Sequence, residues 1–262
     1  GVRLVVPQSL SAAVISRIHD PDYVNAVRTG KPSNLANTAE LGWTPGTWQM
    51  VTASTGGAVA AALDAYQTGQ TAGSLSSGLH HAKYGMGSGF CTFNGLVLAA
   101  DAAIRVGAKK VIILDTDAHC GGGTESLLRR HRMTNVTHLD IATSLFDRYD
   151  LPRTKTERVA RMGPRFIAPN AGDRYLPTLQ SMLAAATGGA DLLIYNAGMD
   201  PASGDCGMLT SQQLRAREEM VFAWAAEYGI PVAFVLAGGY SDQTRVVALH
   251  RRTITAAAKR RS

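Results

Sequence analysis

Short apolar runs rich in β-branched residues alternate along this chain with longer stretches of helical periodicity, and that alternation constrains the fold more than any single motif. Strand candidates lie at residues 3–6, 110–114, 136–141, 192–196 and 232–236. Helix candidates lie at 11–18, 21–29, 50–67, 93–106, 174–186, 211–228 and 243–259. Strands separated by helices of this length build βαβ units, because parallel neighbours need a long crossover connection. The expected fold class is therefore α/β: a mostly parallel sheet between two helical layers, α/β/α. At 262 residues and 45% hydrophobic content, residues 1–262 fit one domain with a substantial core. The stretches 30–46 and 147–172 are polar and punctuated by Pro and Gly, and read as insertions at a functional rim rather than as linkers.

One apolar run ends in chemistry. Val111-Ile112-Ile113-Leu114-Asp115-Thr116-Asp117-Ala118-His119 is a buried-strand pattern that runs directly into two carboxylates and an imidazole. In extended chain, alternate side chains share a side, so Asp115, Asp117 and His119 can converge just beyond the strand's carboxyl end, where open α/β sheets keep their ligands. Carboxylate oxygens with a neutral imidazole suit zinc or another borderline divalent ion. Taken one at a time, each of these acids is equally a turn former.

Three further segments complete a constellation. Gly78-Leu79-His80-His81-Ala82 precedes Gly85-Met86-Gly87-Ser88-Gly89-Phe90-Cys91, and its tandem histidines can supply a proton-transfer pair. Leu192-Leu193-Ile194-Tyr195-Asn196-Ala197-Gly198-Met199-Asp200 is a second buried run ending in an acid, a candidate third metal ligand. Val235-Leu236-Ala237-Gly238-Gly239-Tyr240 places a phenol after two glycines, where its hydroxyl can stabilise an oxyanion.

Composition narrows the partners. The net charge of +6 is modest, and its basic clusters, Lys109-Lys110, Arg129-Arg130 and Lys259-Arg260-Arg261, carry no interleaved aromatics, so no direct nucleic-acid contact is expected. No apolar run is long enough to span a bilayer, and no targeting segment is visible, so no membrane role is expected. Three scattered cysteines, Cys91, Cys120 and Cys206, argue for a reducing compartment, and the cytoplasm is the expected location.

Taken together and in this order, the segments resemble the zinc-dependent histone deacetylase family, of the arginase/deacetylase superfamily, and its class IV branch most closely. The resemblance runs over nearly the whole chain, from His19-Asp20-Pro21-Asp22-Tyr23-Val24 through the double histidine, Gly89-Phe90-Cys91, Asp115-Thr116-Asp117-Ala118-His119 and Tyr195-Asn196-Ala197-Gly198-Met199-Asp200 to Gly238-Gly239-Tyr240. It implies an arginase/deacetylase-like fold and one zinc ion per chain on Asp117, His119 and Asp200. It implies His81 as general base and later acid, His80 as its electrostatic partner held by Asp115, and Tyr240 as donor to the carbonyl oxygen. Phe90 would line a narrow channel for an acyl-lysine stem, with Gly89 offering its backbone carbonyl. The implied reaction removes an acetyl or longer fatty acyl group from lysine of a peptide or protein, or from a small acylated amine. A structural potassium ion is a further family expectation, with a hydroxyl ligand falling near Ala142.

The chain also departs from the family pattern. After His119 the family has a second histidine and, two positions later, an Asp or Asn; here stand Cys120, Gly121 and Gly122. The partner that would orient the second histidine is therefore missing at Gly122 unless another residue replaces it. The His-Asp-Pro motif lies close to residue 1, so an amino-terminal strand and helix usual in the family are expected to be shortened, with one rim supplied by another chain in a homo-oligomer. Three alternatives stay open: a catalytically weak or inactive acyl-lysine binding module, favoured only by Gly122; an arginase-like ureohydrolase, which needs acids that Gly121 does not supply; and an acylpolyamine amidohydrolase, which needs acids at the pocket mouth, for which Asp147, Asp150, Asp173 and Asp205 are candidates. A nucleotide-binding signal in Gly85, Gly87 and Gly89 is weak, because those glycines do not follow a strand directly and no acidic residue stands at the end of a suitable second strand.

Overall fold

The computed structural model describes residues 2–150, 161–168, 170–186 and 188–259. Its centre is one parallel sheet of six strands, β1 (Ala72–Ser74), β2 (Val111–Asp115), β3 (Val136–Ala142), β4 (Arg161–Phe166), β5 (Leu192–Gly198) and β6 (Val232–Ala237), in the order β1-β6-β5-β2-β3-β4. The inner strands are buried on both faces, which is why they read as unbroken apolar runs.

Alternation along those strands divides the core. Val111, Ile113, Ile194 and Val235 pack with helices α1 (Ala12–Ile15), α2 (Pro21–Thr29), α4 (Thr47–Thr68) and α5 (Gly95–Arg105). Ile112, Leu114, Leu193 and Phe234 pack on the opposite face with α7 (Tyr175–Ala185), α8 (Ser211–Glu227) and α9 (Gln243–Ala258). Two shorter helices, α3 (Ser33–Ala36) and α6 (Gly122–Arg130), complete the described set. Local signals fix several starts: Asp20 caps α2 ahead of Pro21, Asn94 caps α5 through Val97 N–H, and Thr210 with Gln213 forms a capping box on α8.

Three elements differ from the sequence reading. Residues 3–6 form no strand and are exposed. Strand β1 escapes the pattern because it is three residues long and contains no β-branched or aromatic side chain. Strand β4 lies inside the stretch read as an insertion; its Gly163 and Pro164 mimic a loop, and Pro is tolerated because β4 is an edge strand. Residues 151–160 of that stretch lie outside the described residues.

Candidate active site

Five strands that are neighbours in the sheet, β1, β6, β5, β2 and β3, send their carboxyl ends to one rim. Asp115 closes β2; residues 116–121 follow it, then α6. Asp200 follows β5, Tyr240 follows β6, His80 and His81 lie beyond β1, and the loop after β3 returns to the same place. That return is hydrogen-bonded: Thr143 N–H donates to Ala118 O at 2.8 Å and Cys120 N–H to Phe146 O at 3.0 Å. Arg217 of α8, fully buried, pins the β2 exit from the other side by donating to Thr116 O at 3.1 Å while paired with Glu218 at 2.7 Å.

The expected metal ligands meet. His119 Nδ1 is 3.1 Å from Asp117 Oδ1 and 3.1 Å from Asp200 Oδ2. Asp200 Oδ1 accepts from Ala118 N–H at 3.0 Å, whereas its buried Oδ2 has no hydrogen-bond partner. An orphaned carboxylate oxygen facing an imidazole nitrogen and a second carboxylate is the donor set that a zinc-type ion satisfies. Cys206 Sγ joins this group, within 4.8 Å of the donor atoms of His119 and Asp200. Burial raises the cost of charging all of these groups. For His119 the contacts with Asp117 and Asp200 outweigh that cost and lift the ring to about 9. Asp200, buried and facing the Asp117 charge, is pushed up to about 7, while His80 and His119 hold Asp117 low.

The tandem histidines lie side by side, 3.9 Å between ring centroids with their planes tilted by 43°. His80 is locked from both ends: its Nδ1 is 2.7 Å from Asp115 Oδ2, and its carbonyl accepts from Thr124 N–H and from Asn94 Nδ2. Asp115 in turn accepts from Asn196 Nδ2 at 2.8 Å and from Asp117 N–H at 3.1 Å. Burial alone would lower the His80 pKa, but the charges of Asp115 and Asp117 prevail and raise it well above the ordinary value. His81 goes the other way, lowered first by burial and then by the charge of His80. The two rings are thus driven apart, His80 toward its charged form and His81 toward its neutral form.

Aromatic side chains lie beside these groups. Gly89 and Phe90 both have positive φ, 51° and 62°, at the centre of a turn closed by Ser88 and Cys91, which hydrogen-bond each other in both directions. The turn needs a left-handed first residue and holds Phe90 out at the rim, half exposed. Opposite the histidines, Phe146 lies edge-on to His81 at 4.9 Å and to His119 at 5.7 Å. Tyr240 stands 6.3 Å from His119, ring to ring, with Asp205 Oδ2 accepting its backbone N–H at 2.8 Å. Burial and the two ligand carboxylates raise the phenol's pKa, so it remains a donor.

All of the sequence-predicted site residues therefore lie at one rim. Phe146, Cys206 and Asn196 are site residues that the sequence reading does not single out, and Asp147 reads there only as an acid for the pocket mouth. It lies against His81 instead, with Nδ1 of the ring 3.0 Å from Asp147 Oδ2. Position after a strand of the same sheet is the signal that marks Phe146 and Asp147. Of the other mouth candidates, Asp205 is engaged with the Tyr240 loop, and Asp173 lines a separate cavity with Arg165 and Arg174. Ala142 is buried and offers no side-chain ligand for potassium.

The sequence profile of the histone deacetylase domain matches residues 2–256. An uncharacterized protein of Picosynechococcus sp. is 32% identical over 243 residues, covering 90% of this chain and 78% of that protein. Histone deacetylase 2 of Arabidopsis thaliana is 28% identical over 259 residues, and the chain spans 65% of its length. A probable deacetylase of Methanothermobacter thermautotrophicus is 30% identical over 76% of this chain, which spans 62% of that relative. In fold, the chain is similar to the crystal structure of the HDA15 HD domain (TM-score 0.77, 20% identity, 98% of this chain and 76% of that one). It is also similar to acetylpolyamine aminohydrolase from Burkholderia pseudomallei (TM-score 0.76, 18% identity, 98% and 85%).

Proposed function

Because this chain belongs to the histone deacetylase family, we propose that it is a deacetylase hydrolase that cleaves the amide of an acylated lysine, acetyl or longer, with zinc bound by Asp117, His119 and Asp200. The observation that carries this reading is the placement of one imidazole nitrogen 3.1 Å from each of two carboxylates, beside a close pair of histidines with opposite pKa shifts. Zinc held there would supply Lewis acidity toward the acyl carbonyl and a lowered pKa for water.

The chain's own groups do the rest. His81, favoured in its neutral form, accepts a proton from the water that adds to the carbonyl carbon, and returns it to the nitrogen as the C–N bond breaks, leaving a carboxylic acid and an amine, between which the remaining acidic proton then passes to give carboxylate and ammonium. Cationic His80, buttressed by Asp115, favours the negative charge that develops beside it. The Tyr240 hydroxyl donates to the carbonyl oxygen as it gains charge. Phe90 and Phe146 are the apolar walls for the acyl-lysine stem, and the Gly89 carbonyl is an acceptor at the same turn.

Two observations bear on the rival readings. Acids at the mouth would serve a polyamine, but Asp147 and Asp205 are already engaged. A ureohydrolase would need an acid where Gly121 stands and an acid pair on a later strand, where only Asp200 is plain. Among the described residues no helix is long and apolar enough to cross a membrane, and the three free cysteines suit the cytoplasm.

Zinc-replete protein assayed on acetyl-, decanoyl- and myristoyl-lysine peptides, on N-acetylspermidine and on arginine tests the reading. Hydrolysis of one or more lysine amides is expected; stoichiometric zinc without turnover of any amide would overturn it.

A further inference from the structure

The family pattern leaves His81 without its usual acid, yet the ring is not unpartnered. We propose that Asp147, carried by the loop after β3, is the positioning residue for His81, and that Gly122 is glycine because the Asp147 segment fills the space a side chain there would need.

Two independent observations support this. First, Asp147 Oδ2 is 3.0 Å from His81 Nδ1 and also accepts the Gly123 N–H at 3.0 Å, while Oδ1 pairs with Lys83 Nζ at 3.0 Å. The carboxylate is almost fully covered, with 7% of its side chain exposed. Burial opposes its charge, but the hydrogen bonds from His81 and Lys83 together hold it below the usual carboxylate range. An ionised carboxylate only accepts, so the ring proton sits on Nδ1 and Nε2 keeps the lone pair needed for proton abstraction. Second, a β-carbon on Gly122 would lie 2.3 Å from Asp147 O and 2.6 Å from Asp147 Cγ. A side chain at 122 and the Asp147 segment in its present place are mutually exclusive. Asp147 reaches the site with φ of 56°, a left-handed conformation that Asp tolerates better than most residues.

The loop is also tied down close by, since Cys120 N–H donates to Phe146 O. The acid that would stand on the first turn of α6 is thereby delivered from the neighbouring strand, and the loss at Gly122 does not argue for an inactive module.

The inference rests on His81 as the proton acceptor, and its test separates the two. In zinc-loaded protein, Asp147→Ala is expected to lower kcat roughly a hundredfold with KM and zinc content unchanged. Asp147→Asn, which keeps an acceptor but not the charge, should fall between it and wild type. Gly122→Ala, which pushes the segment away, should reproduce the kcat loss. Long-range ¹H–¹⁵N spectra of the histidine rings, recorded without metal as well as with it, should show His81 with its proton on Nδ1 in wild type and a mixed tautomer in Asp147→Ala. Unchanged kcat and an unchanged His81 tautomer in folded Asp147→Ala would overturn the assignment while leaving the deacetylase reading intact. An inactive wild type with the His81 tautomer as described would overturn that reading and leave Asp147 as the ring's partner.

Discussion

Asp200 Oδ2 stands 3.1 Å from His119 Nδ1, and that buried oxygen has no hydrogen bond of its own. In metal-free protein the pair holds protons that a divalent ion must displace. His119 keeps its proton up to pH about 9, against ~6.5 in an unfolded chain. A folded pKa above the unfolded one gives stability that is complete below the unfolded value and lost as pH rises through the folded value. Asp200, pushed up to about 7, titrates in the same sense. Apparent zinc affinity should therefore climb as pH rises toward about 9, with proton release, while metal-free protein loses the Asp200 contribution between ~3.9 and about 7 and the His119 contribution between ~6.5 and about 9. Calorimetric zinc titrations in buffers of differing ionisation enthalpy check this; a pH-independent affinity without proton release would contradict it.

Removing a ligand differs from removing the oxyanion donor. Asp117→Ala and Asp200→Ala should lose zinc on dialysis, whereas Tyr240→Phe should retain it and lose roughly 10²- to 10³-fold in kcat. Metal analysis beside steady-state kinetics distinguishes them, and full turnover by Tyr240→Phe would remove the phenol from the chemistry.

Arg217 is a structural support beneath the site. Its guanidinium is buried against Glu218, which also accepts from Tyr195 at 2.8 Å, and it donates to the backbone leaving β2. Arg217→Met leaves a buried carboxylate without its cation and should cost about 3–5 kcal/mol in denaturant titration, with most of it recovered in Arg217→Met/Glu218→Leu. A loss below about 1 kcal/mol would show that the pair is dispensable.

Phe146 and Phe90 should act on binding rather than chemistry. Losing one apolar wall against the methylenes of an acyl-lysine stem is worth about 1–2 kcal/mol, so Phe146→Ala or Phe90→Ala should raise KM roughly tenfold with kcat nearly unchanged. A kcat effect with unchanged KM would place these rings elsewhere in the cycle.

Much of this arrangement is legible in the sequence because buried parallel strands announce themselves. Residues 111–115 and 192–198 are nearly uninterrupted apolar runs, and the ligands follow them in register, with Asp115 opposite Asn196. What stays hidden is of two kinds. Strand β1, with Ala, Gly and Ser, and β4, with Gly and Pro, take their strand character from neighbours in the sheet and not from propensity. The contact of Asp147 with His81 spans sixty-six residues and has no spacing rule, so an acid in a polar loop looks like any solvated side chain. Gly122 carries half of that message, as an absence whose counterpart only the folded chain supplies.

Parallel strands with adjoining exits make the address of a charge negotiable. Once β2 and β3 discharge their chains side by side, a carboxylate can migrate from one host segment to the next during divergence while the imidazole it serves stays put. A catalytic position that has turned to glycine is then a poor guide to competence, and apparent gaps in the signature of such chains are better judged by asking what the adjacent exit has brought in.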